Sequence, residues 1–102
     1  MSNQLPLNSL VAFSLTMTDD KEHRIVDFDL PFYECNIHVY TNAAKYGAMG
    51  VCDATVNAGD VVWFNSGNLR DFIFKNNAAG SNTKIVAVAT VPTYYMKEAL
   101  KA

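Results

Sequence analysis

The sequence has little that suits chemistry. Its 102 residues include two histidines and two cysteines. His23 and His38 are far apart in sequence, and no C-x-x-C or H-x-x-x-H spacing occurs, so the ligand spacing of a zinc site is missing. Charge is also sparse: 18% of residues are charged, the net charge is −2, and the eight Lys and Arg residues are scattered. Binding nucleic acid through phosphates needs clustered cations, so it is not expected. No apolar run approaches the roughly 20 residues of a membrane-crossing helix. The opening Met1-Ser2-Asn3-Gln4-Leu5-Pro6 has neither the basic start nor the apolar stretch of a secretory leader, so synthesis and retention in the cytoplasm are expected. Without a secretion signal, Cys35 and Cys52 are expected as buried thiols, and their pairing is left open.

What the sequence does have is alternation. Val11, Phe13, Leu15 and Met17 alternate with Ala12, Ser14 and Thr16; Val26, Phe28, Leu30 and Phe32 with Asp27, Asp29 and Pro31; Tyr33, Cys35, Ile37 and Val39 with Glu34, Asn36 and His38. Successive side chains on a strand point to opposite faces, so each run reads as a strand with one buried side. The chain length suits one domain with a modest core. Half of the residues are hydrophobic, which leaves apolar surface over for an oligomer or a host assembly.

The pattern predicts an all-β fold, a small antiparallel β-sandwich or barrel with a short C-terminal helix. Residues 1–8 read as a flexible N-terminal arm and 9–102 as a single β domain. Strands are expected at about 9–18, 24–32 and 33–41, with a charged hairpin turn at 18–23. Pro31 suits an edge strand or a bend. The phase change between Phe32 and Tyr33 predicts a bulge or corner. Gly47 and Gly50 permit close backbone approach. Asn57–Asp60 reads as a turn into Val61-Val62-Trp63-Phe64, which is apolar on both faces and so central or interfacial. Asn65–Asn68 reads as a hairpin connection, whose Gly67 can take a positive φ, to a strand over 69–75, and 76–82 as a longer loop. A last strand, 84–91, is apolar on both faces; Pro92 ends it, and Thr93 is placed to cap a helix over 94–101. Trp63, Phe64, Phe72 and Phe74 are the expected core or interface residues.

No catalytic constellation overlies this frame. Cys35 and His38, three apart on an alternating strand, point to opposite faces and do not form a nucleophile–base pair. Asp27 and Asp29 share a face, but an exposed strand face makes them a solvated edge. Gly59, Asn65, Gly67 and Arg70 have the spacing of the second cupin motif, G-x5-P-x-G-x2-H. Asn65 stands where that motif has proline and Arg70 where it has histidine, and the histidine pair of the first motif is absent. The spacing implies a similar turn, not a metal enzyme. A cupin-like small-molecule binding domain without a metal site is the alternative reading.

Gly47-Ala48-Met49-Gly50-Val51, followed by Val61-Val62-Trp63-Phe64-Asn65-Ser66-Gly67-Asn68-Leu69-Arg70, resembles the core of the lambda-type head decoration proteins of tailed bacteriophages over about residues 45–75. The resemblance implies a β-tulip-like homotrimer on the outer face of the capsid, in a virion assembled in the host cytoplasm. It would clamp the major capsid protein and need neither cofactor nor catalytic residue. The expected capsid or oligomer contacts are Asn3, Leu5, Pro6 and Leu7 in the arm and Tyr94, Tyr95 and Met96 at the other end. A tail or connector component of a virion is a further possibility in the same class.

Overall fold

A computed structural model describes residues 8–48 and 51–95. Seven strands account for most of them: β1 (Asn8–Met17), β2 (Pro31–Tyr40), β3 (Ala44–Ala48), β4 (Val51–Val56), β5 (Val61–Asn68), β6 (Phe72–Asn76) and β7 (Thr83–Pro92). They form two antiparallel sheets, a four-stranded one in the order β1-β7-β2-β5 and a three-stranded one in the order β4-β3-β6. On the free side of β6, His23 and Phe74 exchange both backbone hydrogen bonds at 2.8 Å, a single isolated bridge.

The connections follow one rule. β3 and β4 form a hairpin. Moving outward from it along both chain directions, β2 pairs with β5, then His23 with Phe74, then β1 with β7. The molecule is thus one long antiparallel ribbon wound on itself, each turn of the ribbon passing from one sheet to the other. The β2–β7 and β3–β6 pairings join successive turns.

Alternation decides which side chains fill the gap between the sheets. Met17, Cys35, Ile37, Val39, Ile85, Ala87, Ala89 and Val91 are buried on the inner face of the larger sheet. Phe74 and Ala44 are buried in the smaller sheet. Small residues at 87 and 89 suit a strand flanked on both sides. At one end of the sandwich Phe32, Phe64, Phe72, Phe74 and Tyr46 form a chain of ring contacts, the tightest being Phe64–Phe72 at 4.7 Å. The carboxamide of Asn76 donates to the carbonyls of Met17 and Asp19, tying the end of β1 to β6.

The all-β expectation holds, and several local ones need correction. Residues 24–30 are not a strand. Val26 and Leu30 are buried, and Phe28 meets Phe13 edge-on at 6.3 Å. The alternation there reports side-chain burial, with the His23 bridge as the segment's laddered contact. Residues 18–23 consequently do not turn a hairpin. Asn65–Asn68 is not a hairpin connection either: β5 runs through it, and a 3-10 turn at Leu69–Asp71 carries the chain to the other sheet. The backbone freedom expected at Gly67 is used (φ +157, beside Ser66 at φ +58), but to bend a strand end. The phase change at Phe32–Tyr33 is present: Phe32 and Cys35 point inward and Tyr33 and Glu34 are both exposed, while the register with β5 stays constant. Val61–Phe64 is not central, because β5 is an edge strand. Close approach at Gly47 is as expected: a β-carbon there would lie 1.8 Å from the Val51 carbonyl oxygen.

Candidate functional site

The outer face of the larger sheet is the most distinctive surface of the described residues. Antiparallel partners on neighbouring strands share a face, so the register lays out four rows across the sheet. The first is Leu10–Thr90–Glu34–Asn65 and the second Ala12–Val88–Asn36–Trp63. The third is Ser14–Val86–His38–Val61 and the fourth Thr16–Lys84–Tyr40. Leu10 is 75% and Trp63 71% exposed, Tyr40 and Val61 are exposed, and Val86 and Val88 between them are half-buried. The rings of His38 and Tyr40 stack at 6.4 Å. Glu34 and Lys84 are the only formal charges in the four rows, one at each end. A face this poor in charge, with Leu10, Tyr40, Val61 and Trp63 exposed on it, shares the depletion of charge and the exposed aromatic groups of an interface core.

Trp63 therefore does not sit in the core of the chain. It alternates with half-buried Val62 and Phe64 on β5 and points away from them. Phe74 is fully buried, Phe72 and Phe64 are half-buried against the core, and Tyr95 packs against it. Tyr94 is exposed, its ring edge-on to Tyr95 at 5.7 Å in the helical segment 93–95. Asn3, Leu5, Pro6, Leu7 and Met96 lie outside the described residues. Sequence reasoning missed Leu10, Tyr40, Val86 and Val88 as surface partners of Trp63. The apolarity of β7 on both faces was the available signal, and register was needed to join it to β5.

The positions that match the cupin spacing form a hydrogen-bonded corner. Asn68 accepts from the backbone amides of Leu30 (3.0 Å) and Arg70 (3.1 Å) and donates to the Asp29 carboxylate. The Arg70 guanidinium lies 3.9 Å from the same carboxylate, with both side chains about half exposed. Asn68 thereby caps the 3-10 turn and pins the Asp29–Leu30 segment to it. A β-carbon at Gly67 would press on the Phe32 ring at 2.9 Å, so glycine lets the ring close this end.

The remaining reactive groups are dispersed. Both cysteines are free thiols: Cys35 faces the interior, where burial pushes it up to about 12, and Cys52 is raised by burial and then by Glu22. Neither is poised as a nucleophile, which needs a lowered value. His23 bonds Asp19 at 2.7 Å on the surface; that bond, then the Lys21 amide, lowers the Asp19 carboxyl below its ordinary value. His38 lies on the outer face, away from Cys35. Among the described residues no three His, Cys, Asp or Glu side chains converge, and no helix is long and apolar enough to cross a membrane.

Comparison with protein families and with curated proteins finds no match. Among solved structures the chain is similar to an uncharacterized conserved protein with a double-stranded β-helix domain from Klebsiella pneumoniae subsp. pneumoniae. The identity is 17% over 90% of this chain and 81% of that one, with a TM-score of 0.52. Eight-stranded double-sheet jelly rolls of this kind occur in cupins, lectins and viral capsids. With the His23 bridge counted as the eighth strand, the wound ribbon is the same architecture: the fold of this chain is a small double-stranded β-helix.

Proposed function

We propose that this protein is a structural subunit of a virion, of the capsid-decoration kind, and that it acts by protein–protein contact rather than by catalysis. One observation carries the contact reading: an outer sheet face with exposed Leu10 and Trp63 on its two edge strands, Val86 and Val88 between them, and charge only at its ends. Isolated exposed apolar residues are ordinary, whereas a contiguous face of them marks an interaction site. The interior supports the same reading, since aromatic rings and aliphatic side chains fill the space between the sheets. The capsid assignment rests on the resemblance of residues 45–75 to lambda-type decoration proteins. In this reading Tyr94 and the segment 1–7 meet the major capsid protein on the outside of the head. Antibody to the chain should label the outer surface of intact heads in purified virions, and mass spectrometry should find it in copy numbers comparable to the major capsid protein. Absence from the particles, or label confined to tails, would overturn the assignment.

A second reading, a cupin-like small-molecule binding domain, draws on the double-stranded β-helix fold and on the Asp29–Asn68–Arg70 corner beside the aromatic end of the sandwich. It requires a ligand that raises the melting temperature saturably and loses that effect in Arg70→Ala.

A further inference from the structure

We infer that the outer face of the larger sheet is the interface of a two-fold homodimer, with the symmetry axis lying in the interface and running across the strands. The inference does not rest on the virion reading: a dimer that ignores capsids leaves it standing and removes the other.

The occupant is argued from self-complementarity. A two-fold axis across the strands lays each strand over its own copy with its direction reversed. The first row then faces the fourth and the second faces the third. Glu34, in the first row, comes to lie over Tyr40 of the second copy and next to its Lys84, and the same contact recurs at the other end. Both formal charges of the face thereby meet an opposite charge. An axis along the strands instead sets Glu34 beside Glu34 and Lys84 beside Lys84, which is repulsive. The charges thus select one of the two face-to-face arrangements.

The two central rows match under the same operation, while Leu10 falls over Thr16 of the second copy. Trp63 falls over Val61 of the second copy, and Val88 over Val86. On β2, His38 falls over Asn36 of the second copy and Asn36 over His38. An imidazole opposite a carboxamide supplies a donor and an acceptor, so the polar groups nearest the axis are paired when water leaves. Each chain thus brings half of two symmetric hydrogen bonds, two charge pairs and an apolar strip.

The area is adequate. Four strands about 4.8 Å apart and four rows about 7 Å apart project to about 500 Å². Projection understates the accessible area of protruding groups such as the Trp63 indole, which brings the face to the roughly 600 Å² per partner of small specific interfaces. Two sheets stacked in this way also match the aligned packing of β-sandwiches.

Sedimentation equilibrium of the full chain tests the arrangement. The expected mass is twice the 11.3 kDa of the chain, with a dissociation constant in the micromolar range or tighter. Trp63→Glu, at an exposed position, should keep the β circular-dichroism spectrum and weaken association at least tenfold. Glu34→Lys alone should weaken association about tenfold, and adding Lys84→Glu should restore it to near the starting value. A monomer at high micromolar concentration, a trimeric mass, or a dimer indifferent to Trp63→Glu would each overturn the interface. A dimer sensitive to Trp63→Glu but not rescued by the double charge exchange would overturn the orientation.

Discussion

The two sheets have similar inner faces and opposite outer ones. Across the smaller sheet the outward row Thr55–Lys45–Lys75 places two lysines side by side, with exposed Asp53 on β4. Like charges on adjacent strands repel and suit that face to water. Its outward apolar residue, Ile73, is buried, and the segment that bridges β6 lies beside it: Glu22, His23, Arg24 and Ile73 line a depression of about 190 Å³. The larger sheet has Val86, Val88, Trp63 and Leu10 in the equivalent outward positions, and no segment among the described residues covers them. One sheet meets its outward apolar requirement within the chain. The other leaves its outward apolar residues uncovered among the described residues.

Substitutions can break or sharpen that contrast, and the largest effect is expected inside. Phe74→Ala removes a fully buried ring between the sheets and should cost about 3–5 kcal/mol in denaturant unfolding. A loss below about 1 kcal/mol would mean that the gap between the sheets is not the core. Asn68→Ala comes next, since the Leu30 and Arg70 amides lose their acceptor. A loss of about 1–3 kcal/mol is expected, and an unchanged midpoint would remove the corner from the folding of the ribbon.

The buried Cys35 gives a smaller, pH-dependent effect. Its thiol is raised by burial from an ordinary value of 9.0 to about 12, so the folded chain holds the proton more tightly than the unfolded one. The associated stability is complete below pH 9 and is lost as pH rises toward about 12. Near pH 10 the loss should be about 1 kcal/mol, and Cys35→Ala should remove that part of the alkaline slope. Equal slopes in the two proteins would place the thiol in contact with solvent. The smallest effect is expected at the outer face: Trp63→Ala should change the stability of dilute protein by no more than about 0.5 kcal/mol. A loss equal to that of Phe74→Ala would return Trp63 to the core.

The legible parts of the fold were those where burial and backbone pairing coincide. In β1 the inward set Val11, Phe13, Leu15 and Met17 is the one the alternation names. The segment 24–30 shows the same alternation without a ladder, because hydrophobic period reports where side chains go and not what the amides bond. Gly67 was legible as a place of positive φ, whereas the positive φ of Ser66 beside it was not. The role of Gly67 was not legible either, since the ribbon that makes β5 the partner of β2 joins residues about thirty positions apart. The doubly apolar run Val61–Phe64 reads as core or interface in the sequence, and the edge position of β5 takes Trp63 out of the core and exposes it. The wider face could not be read locally, because Leu10, Val88 and Trp63 belong to three strands whose register is a property of the whole fold.

Trp63 is the single tryptophan of the chain, so its fluorescence reports directly on the outer face. The most direct measurement follows its emission maximum and its quenching by acrylamide as the concentration of the native protein is raised from nanomolar to high micromolar. The expected result is a red-shifted, readily quenched indole at the dilute end that moves to the blue and becomes protected in step with association. An indole that stays equally exposed across the series, or one already shielded in the dilute monomer, would contradict the reading of this face as a homodimer interface.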